Sequence, residues 1–194
     1  MHKACDWLTK EAARYGADLS FKYRFFTIDT PKDIANDGSY AQIKDFFNSE
    51  NINMDQLQKR YEAMSGSDES PFILVFDKTA RSFARRQSMS GTPYNELSVM
   101  FRNIYTSSFL WTTIAHELLH QFGAIDYYYP EEVTECAKIY IKDSIMGVGR
   151  DDVLDDLTAY IVGIKDTISA STYHFLEKTM WVDYEKFVKH LNDA

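Results

Sequence analysis

Apolar positions along the chain change period several times, and each change predicts an element. Ala4, Trp7, Leu8, Ala12 and Tyr15 recur three and four apart, which predicts an amphipathic helix over 4–16. Phe21–Asp29 (FKYRFFTID) is aromatic, partly alternating and runs into a proline turn, so it predicts a strand. Short helices are expected over Asp33–Phe47 and Asn53–Met64, followed by a polar loop over Met64–Pro71. Pro71–Phe76 reads PFILVF, a continuous apolar run of the kind found in a strand buried on both faces. Asp77–Arg81 is too short for a crossover, so Ser82–Ser88 is expected to pair antiparallel with that strand. Arg81, Arg85 and Arg86 suit a solvated edge. Glu96–Arg102 predicts another strand.

Ser108–Phe122 is the clearest helix. At about 100° per residue, Trp111, Ile114, Ala115, Leu118, Leu119 and Phe122 fill one arc, while Thr112, Thr113, His116, Glu117, His120 and Gln121 fill the other. Gly123 follows as a natural helix stop. Further helices are expected near 131–142, 151–169 and 172–191, with Asp151 or Asp152 capping the second. No repeat, low-complexity tract or long linker divides the chain. It reads as one domain over 1–194, with a sheet-bearing part to about 123 and a helical part over about 124–194: an α+β fold.

Composition narrows the partners. Hydrophobic residues at 45% and charged residues at 26% describe a globular chain, not a disordered one. A net charge of −8 argues against a nucleic-acid backbone as partner. No run of 18 apolar residues exists, so no membrane span is expected. Cys5 and Cys136 allow at most one bridge, and free thiols are the simpler expectation; without a CxxC pair, a thiolate zinc ribbon is excluded. Residues 1–20 contain no apolar leader core. Two readings stay open: a cytoplasmic protein and, favoured over it, an extracytoplasmic one whose leader has been removed. The chain is read as a monomer.

The chemistry gathers in residues 116–126, HELLHQFGAID. His116 and His120, four apart on a helix, stand one above the other on the same face, the spacing at which one divalent ion takes both as ligands. Glu117 lies about 100° around from His116, too far to join them easily but placed to hydrogen-bond a water on the open side of the ion. Gly123 can adopt φ > 0 and turn the chain back, so that Asp126 arrives as a third ligand. Two His and one Asp leave a fourth position for water, the mark of a catalytic zinc site. Metal-assisted hydrolysis of an amide, with Glu117 as general base, is the expected reaction class. Asp151, Asp152, Asp155 and Asp156 lack the order of a calcium loop and read as a charged helix start; one of them could accept a hydrogen bond from a ligand histidine.

HExxHxxGxxD, running from His116 to Asp126, resembles the zinc signature of the metzincin metallopeptidases in its aspartate-ending variant. Ser144-Ile145-Met146-Gly147, with its methionine 20 residues after Asp126, resembles the Met-turn of that family. The resemblance covers residues 116–147. It implies one catalytic Zn²⁺ held by His116, His120 and Asp126, Glu117 as catalytic base, Gly123 and Met146 as structural residues at the site, and a peptide or protein substrate. It also implies a mixed sheet whose antiparallel edge strand, here Ser82–Ser88, borders the cleft. Some members place an oxyanion-stabilising Tyr two residues after the methionine; here that residue is Val148, with Tyr127, Tyr128, Tyr129 and Tyr160 as candidate substitutes. Tyr127-Tyr128-Tyr129-Pro130 reads equally as cleft lining or as packing and a turn. The Asp ligand leaves the site near +1 rather than +2, which implies a less acidic bound water than three His would give. The competing readings are a catalytically silent zinc module that binds a protein partner, and a metal-free domain in which the motif is accidental.

Overall fold

The computed structural model describes residues 1–25, 40–66, 72–85, 97–148 and 152–179. Its elements run α1 (His2–Arg14), α2 (Tyr40–Ser49), α3 (Met54–Ser65), β1 (Phe72–Thr79), β2 (Phe83–Arg85), β3 (Leu97–Arg102), α4 (Trp111–Gln121), α5 (Glu131–Tyr140), α6 (Asp156–Ile161) and α7 (Ala170–Lys178). A small three-stranded mixed sheet with several helices makes this an α+β fold. The chain divides into two compact units, Phe21–Leu110 and Met1–Ser20 with Trp111–Ala194, so α4 groups with α1 and the C-terminal helices.

In the first of these units the strand order is β1-β3-β2. β3 pairs parallel with β1, Phe72 opposite Leu97, and antiparallel with β2, Phe83 opposite Val99. The expected β1–β2 pairing is therefore corrected: β3 lies between them. The link Ala80–Ser82 is too short for a helical crossover, but stepping over one strand needs only about 10 Å, which three extended residues reach. The burial expectation changes with it. Among the described residues β1 is an edge strand; its Val75 is 56% exposed, so it is not buried on both faces, while Leu97–Phe101 in the central strand are all buried. Leu97, Val99 and Phe101, two apart and so on one face, pack with Ile43 and Phe47 of α2, and Phe76 stacks on Phe101 at 5.6 Å. Among the described residues β2 is the other edge strand, the position expected for Ser82–Ser88.

Asn53 caps α3, its side chain accepting from the Gln56 N–H at 3.0 Å. Phe21–Phe25 is irregular rather than a strand, because local alternation carries no information about a ladder partner. The rest of that expected strand (26–29), the start of the helix expected over 33–47, the loop over 67–71, Arg86–Ser88, Asp151 and residues 180–191 lie outside the described residues.

In the second unit α1 packs on α4. Ala4, Leu8 and Ala12 are buried on one helix, Ala115, Leu118 and Leu119 on the other, and the Trp7 and Trp111 rings sit 5.7 Å apart. α5 packs on α7. α6 begins at Asp156 and is capped by Asp155, not by Asp151 or Asp152, and it is much shorter than the expected 151–169. Four aspartates offer the same capping chemistry; burial of Leu154, Leu157 and Ile161 selects the register. Cys5 and Cys136 are free thiols. Among the described residues no helix is long and apolar enough to cross a membrane.

The corrected topology makes opposite predictions for two apolar residues of the sheet. In urea denaturation, Phe101→Ala should cost about 3–5 kcal/mol. Val75→Ala should change stability by about 0.5 kcal/mol or less.

Candidate metal centre

α4 exists because its apolar arc has α1 to bury against, and that packing points the opposite arc at the site. His116 and His120 present edge-on rings 4.7 Å apart at 87°. α4 ends in a Schellman closure: the Gly123 N–H donates to the His120 carbonyl at 3.0 Å and the Ala124 N–H to the Leu119 carbonyl at 3.1 Å. This closure requires the left-handed backbone that Gly123 adopts, φ +99°. The reversal returns Ala124 and Asp126 to the last turn of the helix.

The ring nitrogens have fixed roles. His116 Nδ1 lies 2.9 Å from the Ile145 carbonyl and His120 Nδ1 lies 2.8 Å from the Ala124 carbonyl. A carbonyl only accepts, so each Nδ1 carries a hydrogen, and in the neutral rings each Nε2 presents a lone pair. The two Nε2 atoms are 3.2 Å apart, and each is 3.2 Å from Asp126 Oδ1. That oxygen is buried and receives no hydrogen bond. Three acceptor atoms thus converge on one point. A proton could bridge one pair of them; a metal ion satisfies all three, and these three residues could hold one. The His116 side chain is 1% exposed, His120 17% and Asp126 32%.

Electrostatics follow the same logic. Burial pushes the Asp126 carboxyl upward, but the two imidazoles outweigh it and hold the group well below the usual carboxylate range. Burial pushes His120 down, yet Asp126, the Ala124 carbonyl and the charge of Glu117 together raise it. Glu117 is 3% exposed and within electrostatic reach of His120.

Residues 144–147 form the expected turn, closed by the Gly147 N–H on the Ser144 carbonyl at 3.0 Å. A Cβ on Gly147 would come within 3.2 Å of that carbonyl oxygen. Met146 is fully buried, and its carbonyl accepts from the Tyr127 N–H at 2.9 Å. The turn therefore bonds to the His116 ring on one side and to the residue after Asp126 on the other.

Two expectations need correction. Among the described residues no aspartate of the 151–156 cluster accepts directly from His116 or His120; both acceptors are backbone carbonyls, for which no side-chain signal exists. Tyr127 cannot serve as a mobile phenol: it is fully buried, its hydroxyl sits 2.8 Å from Thr158 Oγ1, and burial and the nearby Asp155 carboxylate push its pKa far up. Tyr128 lies against His116, rings 6.2 Å apart and nearly parallel, whereas Tyr129 is exposed.

Gly123→Ala should lower stability by about 1–2 kcal/mol. In thermal melts and chelator-competition titrations of divalent ions it should also weaken metal binding by about tenfold or more, because the Ala124 carbonyl and Asp126 move together. No protein-family model, curated protein or solved structure matches this chain.

Proposed function

We propose that this chain is a zinc-dependent peptidase of metzincin type, with His116, His120 and Asp126 as the ion's ligands and Glu117 as the general base. The observation that carries the reading is the 3.2 Å triangle of two imidazole nitrogens and a carboxylate oxygen. A tetrahedral ion with bonds of about 2.0–2.1 Å spaces its ligand atoms about 3.3 Å apart, close to that triangle. Neighbouring ligands on octahedral magnesium stand only about 2.9 Å apart, and imidazole suits zinc rather than calcium. Three protein ligands leave one position open, as in catalytic rather than structural zinc sites.

His116, His120 and Asp126 would hold the zinc, which when bound would supply Lewis-acid polarisation of the scissile carbonyl and a lowered pKa for the attacking water. Glu117 would accept a proton from the attacking water and return it to the leaving amine. The two backbone carbonyls keep both imidazoles in the Nδ1–H form, so neither ring competes for that proton. The buried Met146 turn, bonded to His116 and Tyr127, supports the family reading. The substrate is a peptide or protein.

A second reading, a catalytically silent zinc module that binds a protein partner, draws on one observation. Position 148 is an exposed valine and the Tyr127 hydroxyl is committed to packing, so neither supplies an oxyanion donor.

Cleavage profiling on a broad peptide library separates the two. The wild type should cleave, and Glu117→Gln, which keeps shape but not basicity, should lose about 10²–10⁴ in rate while its zinc content stays at one equivalent. Full activity of Glu117→Gln removes the assigned base; a zinc-loaded wild type that cleaves nothing favours the silent module.

A further inference from the structure

Asp155 is a buried carboxylate that accepts three hydrogen bonds and stands 3.3 Å from the Tyr127 hydroxyl. Its Oδ1 takes the Thr158 N–H at 2.9 Å; its Oδ2 takes the Ser144 hydroxyl at 2.5 Å and the Thr158 hydroxyl at 2.6 Å. Capping α6 accounts for only one of these, the Thr158 N–H, and Ser or Asn would cap as well without burying a charge.

The other bonds lead to the metal centre. An ionised carboxylate only accepts, so it fixes the direction of every hydroxyl that meets it. The Ser144 hydroxyl donates to Asp155 and is left to accept from the Met146 N–H at 3.0 Å. Ser144 and Met146 flank Ile145, whose carbonyl receives His116 Nδ1–H. The Thr158 hydroxyl likewise donates to Asp155, so the Tyr127 hydroxyl donates to Thr158 at 2.8 Å. Tyr127 directly follows Asp126, and its N–H holds the Met146 carbonyl.

We infer that Asp155 is the positioning residue of the metal centre: through Ser144 it holds the Ile145 carbonyl on His116, and through Thr158 and Tyr127 it keeps Asp126 on the ligand face. The inference rests on the reading of His116, His120 and Asp126 as a metal site, and not on peptide hydrolysis. Asp156, the adjacent carboxylate, provides the contrast. It accepts from Lys165, from the Ser169 N–H at 2.6 Å and from the Thr172 hydroxyl at 3.0 Å, tying α6 to the start of α7 without touching the turn.

The test uses the full chain as wild type, Asp155→Asn, Ser144→Ala and Asp156→Asn. The measurements are zinc Kd by chelator competition, the visible spectrum of the Co²⁺-loaded protein, and the urea midpoint. Asp155→Asn should weaken zinc binding about ten- to a hundredfold and Ser144→Ala about tenfold, both with an altered Co²⁺ spectrum. Asp156→Asn should lower the urea midpoint yet keep the wild-type Kd and spectrum. Ser144→Ala removes a single hydroxyl, so it still reports if Asp155→Asn fails to fold. Unchanged Kd and spectrum in Asp155→Asn and Ser144→Ala would overturn the inference, as would an equal loss of affinity in Asp156→Asn. A wild type that binds no metal overturns the metal site itself, and the inference with it.

Discussion

Two imidazole lone pairs and a carboxylate oxygen, mutually 3.2 Å apart, repel one another unless positive charge lies among them. Both rings have spent their one hydrogen on backbone carbonyls, so no neutral arrangement of protons relieves the repulsion at all three edges. A cation among them, a metal ion or an added proton, offsets the cost of burying acceptors that face each other. The turn at Gly123, the turn at Ser144–Gly147 and the packing of α4 on α1 all serve to hold that unfavourable geometry in place.

The devices that do so are mostly backbone groups. The Schellman closure at Gly123 brings one carbonyl back to the His120 ring, and the Ile145 carbonyl meets the His116 ring. Orienting His116 and His120 with carbonyls rather than carboxylates adds no formal charge beside the triangle. The buried carboxylate that stabilises the turn, Asp155, stands one hydroxyl away from it.

The site was legible in the sequence to the extent that its chemistry follows helical geometry. Residues four apart on α4 share a face whatever the rest of the chain does, and a glycine at the helix end permits the reversal that returns Asp126. The second sphere was not legible, because a carbonyl acceptor has no side-chain signature and four aspartates in six residues look alike until packing selects one cap. The sheet failed where local pattern is silent about neighbours. PFILVF reads as a central strand, but its place in the order β1-β3-β2 is fixed by long-range pairing, and the central position went to LSVMFR instead. Tyr127 illustrates the same limit: whether a tyrosine beside a ligand faces the site or the core depends on Thr158, 31 residues away.

The most direct measurement is the metal content and zinc-edge absorption spectrum of the protein purified without chelator. The account predicts one equivalent of zinc with a shell of two imidazole nitrogens and oxygens at about 2.0–2.1 Å. Less than about a tenth of an equivalent, or a sulfur at about 2.3 Å in the shell, would contradict it.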